Sequence, residues 1–211
     1  DRASVLTRTL IQKATNLYGA ASVMDLDGFT NILYGLPLTN CLPLQYLLGM
    51  DALPLSRVMT VVGKEGSMKS LFGWELGRLF IRNTGLFVMV DTEHKPNPPH
   101  CLGLFENSRP PTDRFIYDRL KRSEELIARW DFYMKQYREV CPEKDVPFYL
   151  MTDSLGMAIS QELADSVAAG ESSGYAHAKM AESIGKGLRT AIADHVSCLP
   201  ILMVVINHLH K

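Results

Sequence analysis

The ten consecutive residues Val61, Val62, Gly63, Lys64, Glu65, Gly66, Ser67, Met68, Lys69 and Ser70 set a glycine-rich loop, a lysine and a hydroxyl directly after an apolar stretch. That order of residue types suits the phosphates of a nucleoside triphosphate. Backbone N–H groups of such a loop converge on phosphate oxygens, and the helix that follows offers the positive end of its dipole. Lys69 is placed to reach the β- and γ-phosphates and Ser70 to ligate Mg²⁺, so ATP and Mg²⁺ are the expected cofactors. The loop departs from G-x-x-x-x-G-K-[ST] at one place, where Met68 stands for the second glycine. Taken alone it also fits an ordinary strand-to-helix turn.

Three more polar clusters close apolar runs. Asp91, Thr92, Glu93 and His94 follow the run 86–90, Asp153 and Ser154 follow 147–152, and Asn207 and His208 follow 200–206. Hydrolysis of a nucleoside triphosphate needs a metal, a group that orients or deprotonates water, and a contact that registers the γ-phosphate. Asp153 suits Mg²⁺ or one of its waters and Ser154 the γ-phosphate side, although Asp-Ser is also a common helix N-cap. Glu93 can activate water in line with the γ-phosphate, with Asp91 competing for that role. His208 is the candidate γ-phosphate contact; a lone histidine is more often structural.

The elements that must position these groups follow from hydrophobic periodicity. Val5, Leu6, Leu10, Ile11, Leu17 and Tyr18 recur at helical spacing, so residues 3–18 read as an amphipathic helix that packs on its own core or docks on a neighbouring subunit. Residues 35–55 are rich in Pro, Gly and Leu and suit a turn-rich approach to a first strand at 57–62. A helix is expected from Lys69 to about Asn83, then a buried strand at 86–90. The prolines of 95–111 make that stretch a loop, and one long charged helix is expected over 113–140. Strands at 147–152 and 200–206 flank a Gly/Ser/Ala-rich loop at 165–174 and a helix at 175–195. Strands alternating with helices at this spacing give an α/β fold with a mainly parallel central sheet covered by helices on both faces. Ligands of such sheets bind at the carboxyl ends of the strands, where all four polar clusters fall.

Composition narrows the class. The 211 residues are 46% hydrophobic, enough to bury roughly 70% of the surface the unfolded chain exposes. Two segments are expected: residues 1–34 as a helical appendage and possible oligomerisation arm, and 35–211 as the core. With 22 basic and 23 acidic residues the net charge is −1, which supplies no global positive field for nucleic acid or anionic lipid. Cys41, Cys101, Cys141 and Cys198 show no zinc-type spacing, and a reduced cytoplasmic setting is expected. No apolar run approaches the ~20 residues of a membrane span. A start at Asp1 without methionine and an end directly after an apolar run suggest a piece of a longer protein.

With these motifs in order, the chain resembles the RecA family of recombinases, especially the UvsX-like recombinases of phages. Residues 63–70 resemble their phosphate loop, 90–94 their strand ending in the catalytic glutamate, 152–156 their metal-binding strand, and 205–208 the strand leading to their second DNA-binding loop. The resemblance spans residues 35–211 and implies a RecA-like P-loop NTPase core. It implies Glu93 as catalytic base, Lys69 and Ser70 as phosphate and Mg²⁺ contacts, Asp153 as the further metal residue and His208 as γ-phosphate sensor. By position His100 would stack on adenine, with Pro99 as the alternative, and 162–175 would be the first DNA-binding loop, although it holds no Lys or Arg. Two departures are Met68 for glycine and His208 for the glutamine of the bacterial proteins. The partners implied are single-stranded DNA, homologous duplex DNA, further copies in a helical filament, and single-strand-binding and mediator proteins, in the host cytoplasm if the protein is phage-encoded. A ring-forming helicase of the same core and a weakly hydrolysing ATP-binding regulator are the competing readings.

Overall fold

The computed structural model describes residues 35–38, 42–93, 113–120, 123–155 and 174–208, preceded by Thr9, Gln12, Lys13 and Asn16, which are helical. The chain divides into two compact units, Asp1–Tyr34 and Gly35–Lys211. His94, Pro99, His100, the expected loop over 95–111 and residues 162–173 of the expected loop 162–175 lie outside the described residues.

The second unit opens with a small hairpin in place of the expected turn-rich approach. Strands β1 (Gly35–Pro37) and β2 (Ala52–Pro54) pair antiparallel, with helix α1 (Leu42–Leu48) between them. Five strands then form one sheet: β3 (Arg57–Gly63), β4 (Leu86–Asp91), β5 (Phe115–Arg119), β6 (Phe148–Asp153) and β7 (Ile201–His208). Their spatial order is β3-β7-β6-β4-β5, and every pairing is parallel. Consecutive strands β3 and β4 are thus separated by β7 and β6. The order reverses at the middle of the sheet, the place where open α/β sheets form their ligand crevice.

Helices cover both faces, which explains the near-continuous apolar runs of the central strands. Helix α2 (Lys69–Arg82) buries Gly73, Trp74, Leu76, Gly77, Phe80 and Ile81, a helical stripe, against one face. Trp74 meets Phe87 edge-on at 5.4 Å, Phe80 meets Tyr149 at 5.0 Å, and the Tyr149 hydroxyl donates to the Gly73 carbonyl at 2.8 Å. On the other face, Val88, Val90, Phe148, Leu150, Met203 and Val205 form one core with Leu126, Trp130 and Met134 of helix α3 (Ser123–Val140) and Ile184 and Ala191 of helix α4 (Gly174–Asp194). The Trp130 indole donates to the Thr152 hydroxyl at 2.9 Å, so the one polar side chain this face presents late in β6 is satisfied.

One expected element is corrected. The long helix over 113–140 is a strand followed by a helix, because β5 takes the first part. Phe115, Ile116 and Tyr117 are aromatic and β-branched residues that favour a pleated surface, and they pair with the open edge of β4. The Phe115 ring packs against Phe87 and Trp74 at 5.0 and 5.5 Å. Asp118 then accepts the Tyr133 hydroxyl at 2.8 Å, tying β5 to α3. Among the described residues no helix is long and apolar enough to cross a membrane.

Close approach of α2 to the sheet depends on glycine. A methyl group at Gly77 would run into the Phe87 ring, whereas at Gly185 in α4 it would meet only the Arg189 guanidinium at 3.9 Å. Gly77→Ala is therefore expected to lose about 1–3 kcal/mol by overpacking. Gly185→Ala is expected to gain up to about 1 kcal/mol from helix propensity. Denaturant midpoints of the two variants measure both.

Candidate functional site

The phosphate-type loop leaves β3 at Gly63, whose Cβ position would lie 2.7 Å from the Ser67 hydroxyl. Gly66 turns the chain with φ +76°, and the Ser67 N–H returns to the Lys64 carbonyl at 3.3 Å. Lys64 to Met68 are exposed and Lys69 is buried. Met68 caps α2 with φ 61° and ψ 22°, the left-handed region. Glycine occupies this place in the strict pattern, and the geometry gives the reason: an L side chain here costs about 1–2 kcal/mol that glycine avoids. Methionine offers no side-chain acceptor, so α2 begins without a side-chain cap and its first-turn N–H groups face the loop. The Lys69 ammonium folds back to donate to the Lys64 carbonyl at 2.7 Å.

The sheet register brings the other clusters to the same edge. Gly63 pairs with His208, and Asp91 pairs with Asp153. Glu93 and Asp91, which compete for one role in the sequence, hold different positions. Asp91 is 1% exposed; one of its oxygens accepts the Glu93 N–H at 2.9 Å and the other the Tyr117 hydroxyl. Its carboxylate braces the turn. Glu93 reaches across to β6 and β7, where its Oε1 accepts the Ser154 hydroxyl at 2.8 Å and meets His208 Nε2 at 2.6 Å. The Thr92 hydroxyl donates to the Ser154 carbonyl, and the Thr92 and Glu93 N–H groups donate to the Asp153 carbonyl at 2.9 and 3.3 Å. The Asp153–Ser154 peptide is cis.

Asp153 is the buried acid of the group. Desolvation pushes its carboxyl up to about 6 from 3.8; the Ser70 hydroxyl bonded to it pulls back, the Glu93 and Asp91 charges push further, and His208 pulls back. Its Oδ1 has no hydrogen-bond partner. A buried carboxylate oxygen lacking a donor, beside a hydroxyl and near two more acids, fits a divalent cation. No three His, Cys, Asp or Glu residues that could hold a metal converge among the described residues. Ser70 and Asp153 are the described side chains that could hold a small hard cation such as Mg²⁺, which keeps most of its coordination positions for water.

The structure thus brings together residues 63–70, Glu93, Asp153, Ser154 and His208. Sequence reasoning missed Tyr117 because its strand read as helix, and missed the direct Glu93–His208 contact because parallel register is invisible in one sequence. No protein-family model matches the chain, and no curated protein matches it.

Two stability measurements probe this arrangement. Met68→Gly is expected to stabilise by about 0.5–1 kcal/mol, while Met68→Val, β-branched in the left-handed region, destabilises. For Asp153 the folded state binds the proton more tightly than the unfolded one. Its contribution to stability therefore improves as pH falls from about 6 toward 3.8, and its penalty is complete above that window. Asp153→Asn, measured without nucleotide or Mg²⁺, is expected to raise stability at about pH 8 by about 1–3 kcal/mol, and this advantage should vanish near about pH 4.

Proposed function

We propose that this chain is the ATPase core of a DNA-dependent recombinase of the RecA type, closest to the UvsX-like proteins, which assembles on single-stranded DNA and pairs it with homologous duplex. The observation that carries the reading is the convergence of the phosphate-type loop, Glu93, Asp153 and His208 at the carboxyl edge of one parallel sheet. The RecA-type assignment within that class rests on the ordered sequence resemblance over 35–211.

Each residue has a step in this reading. Bound MgATP would supply an electrophilic γ-phosphoryl group with part of its charge neutralised. Lys69 exchanges the Lys64 carbonyl for a phosphate oxygen, and the uncapped N–H groups of α2 take the same charge. Ser70 and Asp153 hold the metal side. Glu93 accepts a proton from water, and Ser154 and His208 orient its carboxylate until that moment. His208 lies beside Gly63 and one hydrogen bond from Glu93, so it registers both the loop and the base. Further subunits in a filament gather local contacts to DNA along one axis. Binding then weakens with salt although the net charge of one chain is −1.

Glu93→Gln is expected to lower ATP hydrolysis by at least about tenfold while nucleotide binding persists. The same preparations, assayed with and without single-stranded DNA and imaged by negative-stain microscopy, test the assembly. DNA-stimulated hydrolysis with helical filaments supports the recombinase. Stimulation with closed rings replaces it by a helicase, and ATP binding without turnover replaces it by a regulator.

A further inference from the structure

We propose that Tyr117 is a positioning residue for Glu93 and acts through Asp91. The inference rests on the reading of Glu93 as the base of an ATPase. Tyr117 lies in the edge strand β5, in register with Met89, and its hydroxyl reaches along the strand direction to Asp91 Oδ2. The other oxygen, Oδ1, accepts the Glu93 N–H at 2.9 Å. A carboxylate swivels, and either oxygen can serve either donor. A second donor from a different strand fixes one orientation, as outer partners do for ligating and catalytic groups generally. Asp91 is 1% exposed, so water does not substitute for that donor at little cost.

The consequence falls on the base. The backbone of Thr92 and Glu93 is held on the β6 side by the Asp153 carbonyl and on the β4 side by Asp91. These two holds aim the Glu93 carboxylate at Ser154 and His208. Without the phenol hydroxyl, Asp91 turns and the Glu93 N–H loses one of its two acceptors. The carboxylate then samples positions in which water is out of line. Lys69, Ser70 and Asp153 keep their places, so the defect belongs in turnover and not in nucleotide capture.

Steady-state ATPase of the full chain, with single-stranded DNA, separates the possibilities. Tyr117→Phe is expected to lower kcat by about tenfold or more with KM for ATP within about twofold. Asp91→Asn keeps an acceptor for the Glu93 N–H and presents an amide donor to the Tyr117 oxygen, so its loss is the smaller one. Tyr137→Phe serves as the structural control, since it removes a tyrosine hydroxyl bonded to the Val146 carbonyl at the opposite edge of the sheet and should leave kcat unchanged. Wild-type kcat in Tyr117→Phe, or an equal loss in Tyr137→Phe, overturns the proposal while leaving the ATPase reading in place. Turnover absent from the wild-type chain overturns both. Abolished turnover in Asp91→Asn, with activity retained in Glu93→Gln, makes Asp91 the base and overturns the proposal together with the assignment of Glu93, while the ATPase reading stands.

Discussion

Three carboxylates at the ends of two neighbouring strands are the constraint around which this structure is built. The Asp91–Asp153 register brings them together, and both desolvation and mutual repulsion oppose it. The three are treated differently. Asp91 accepts donors on both oxygens, Glu93 shares one oxygen between a serine hydroxyl and a histidine, and Asp153 keeps a buried oxygen without a donor. The unbalanced charge is therefore concentrated on the residue next to Ser70, where a cation would relieve it. A sheet whose central strands are buried on both faces supplies the stability that tolerates this arrangement.

The loop on the other side shows the same logic in mirror image. Lys69 is buried, and its ammonium is held by a carbonyl of its own loop at the start of α2. Met68 occupies a left-handed conformation with no cap to offset it. A helix start without a side-chain cap and a lysine on a backbone oxygen form a local structure that an anion would improve at both points. Glycine would relieve the strain at that position, and methionine does not.

Much of this was legible in the sequence, for definite physical reasons. Strands β4, β6 and β7 are buried on both faces, so they appear as unbroken apolar runs, and the polar residues that end them stand out. Helix α2 shows its stripe plainly. Strand β5 did not, because five residues carrying Asp118 and Arg119 and running into a charged helix keep no period long enough to separate from it. The β1–α1–β2 hairpin has elements of three and seven residues, below what periodicity resolves. The division of labour between Asp91 and Glu93 was also closed to sequence reasoning. It depends on which side chain meets Tyr117 and which meets His208, and both partners come from strands distant in the chain.

The polar contacts at the carboxyl edge also connect the sheet crosswise. Tyr117 on β5 holds Asp91 on β4, Asp91 holds the turn of Glu93, Glu93 joins Ser154 after β6 and His208 on β7, and His208 lies in register with Gly63 on β3. All five strands contribute to one line of contacts a few residues deep. A ligand on the β3 loop can act on the β5 edge only by preferring one arrangement of this line over another. The Glu93–His208 bond lies at the centre of this line. It joins the two halves of the strand order, and its side chains keep 18% and 23% exposure. On one side of it Asp91 and Ser154 are buried, and on the other the pairing of His208 with Gly63 belongs to the backbone ladder. The packed strands beneath this pair act as a fixed frame.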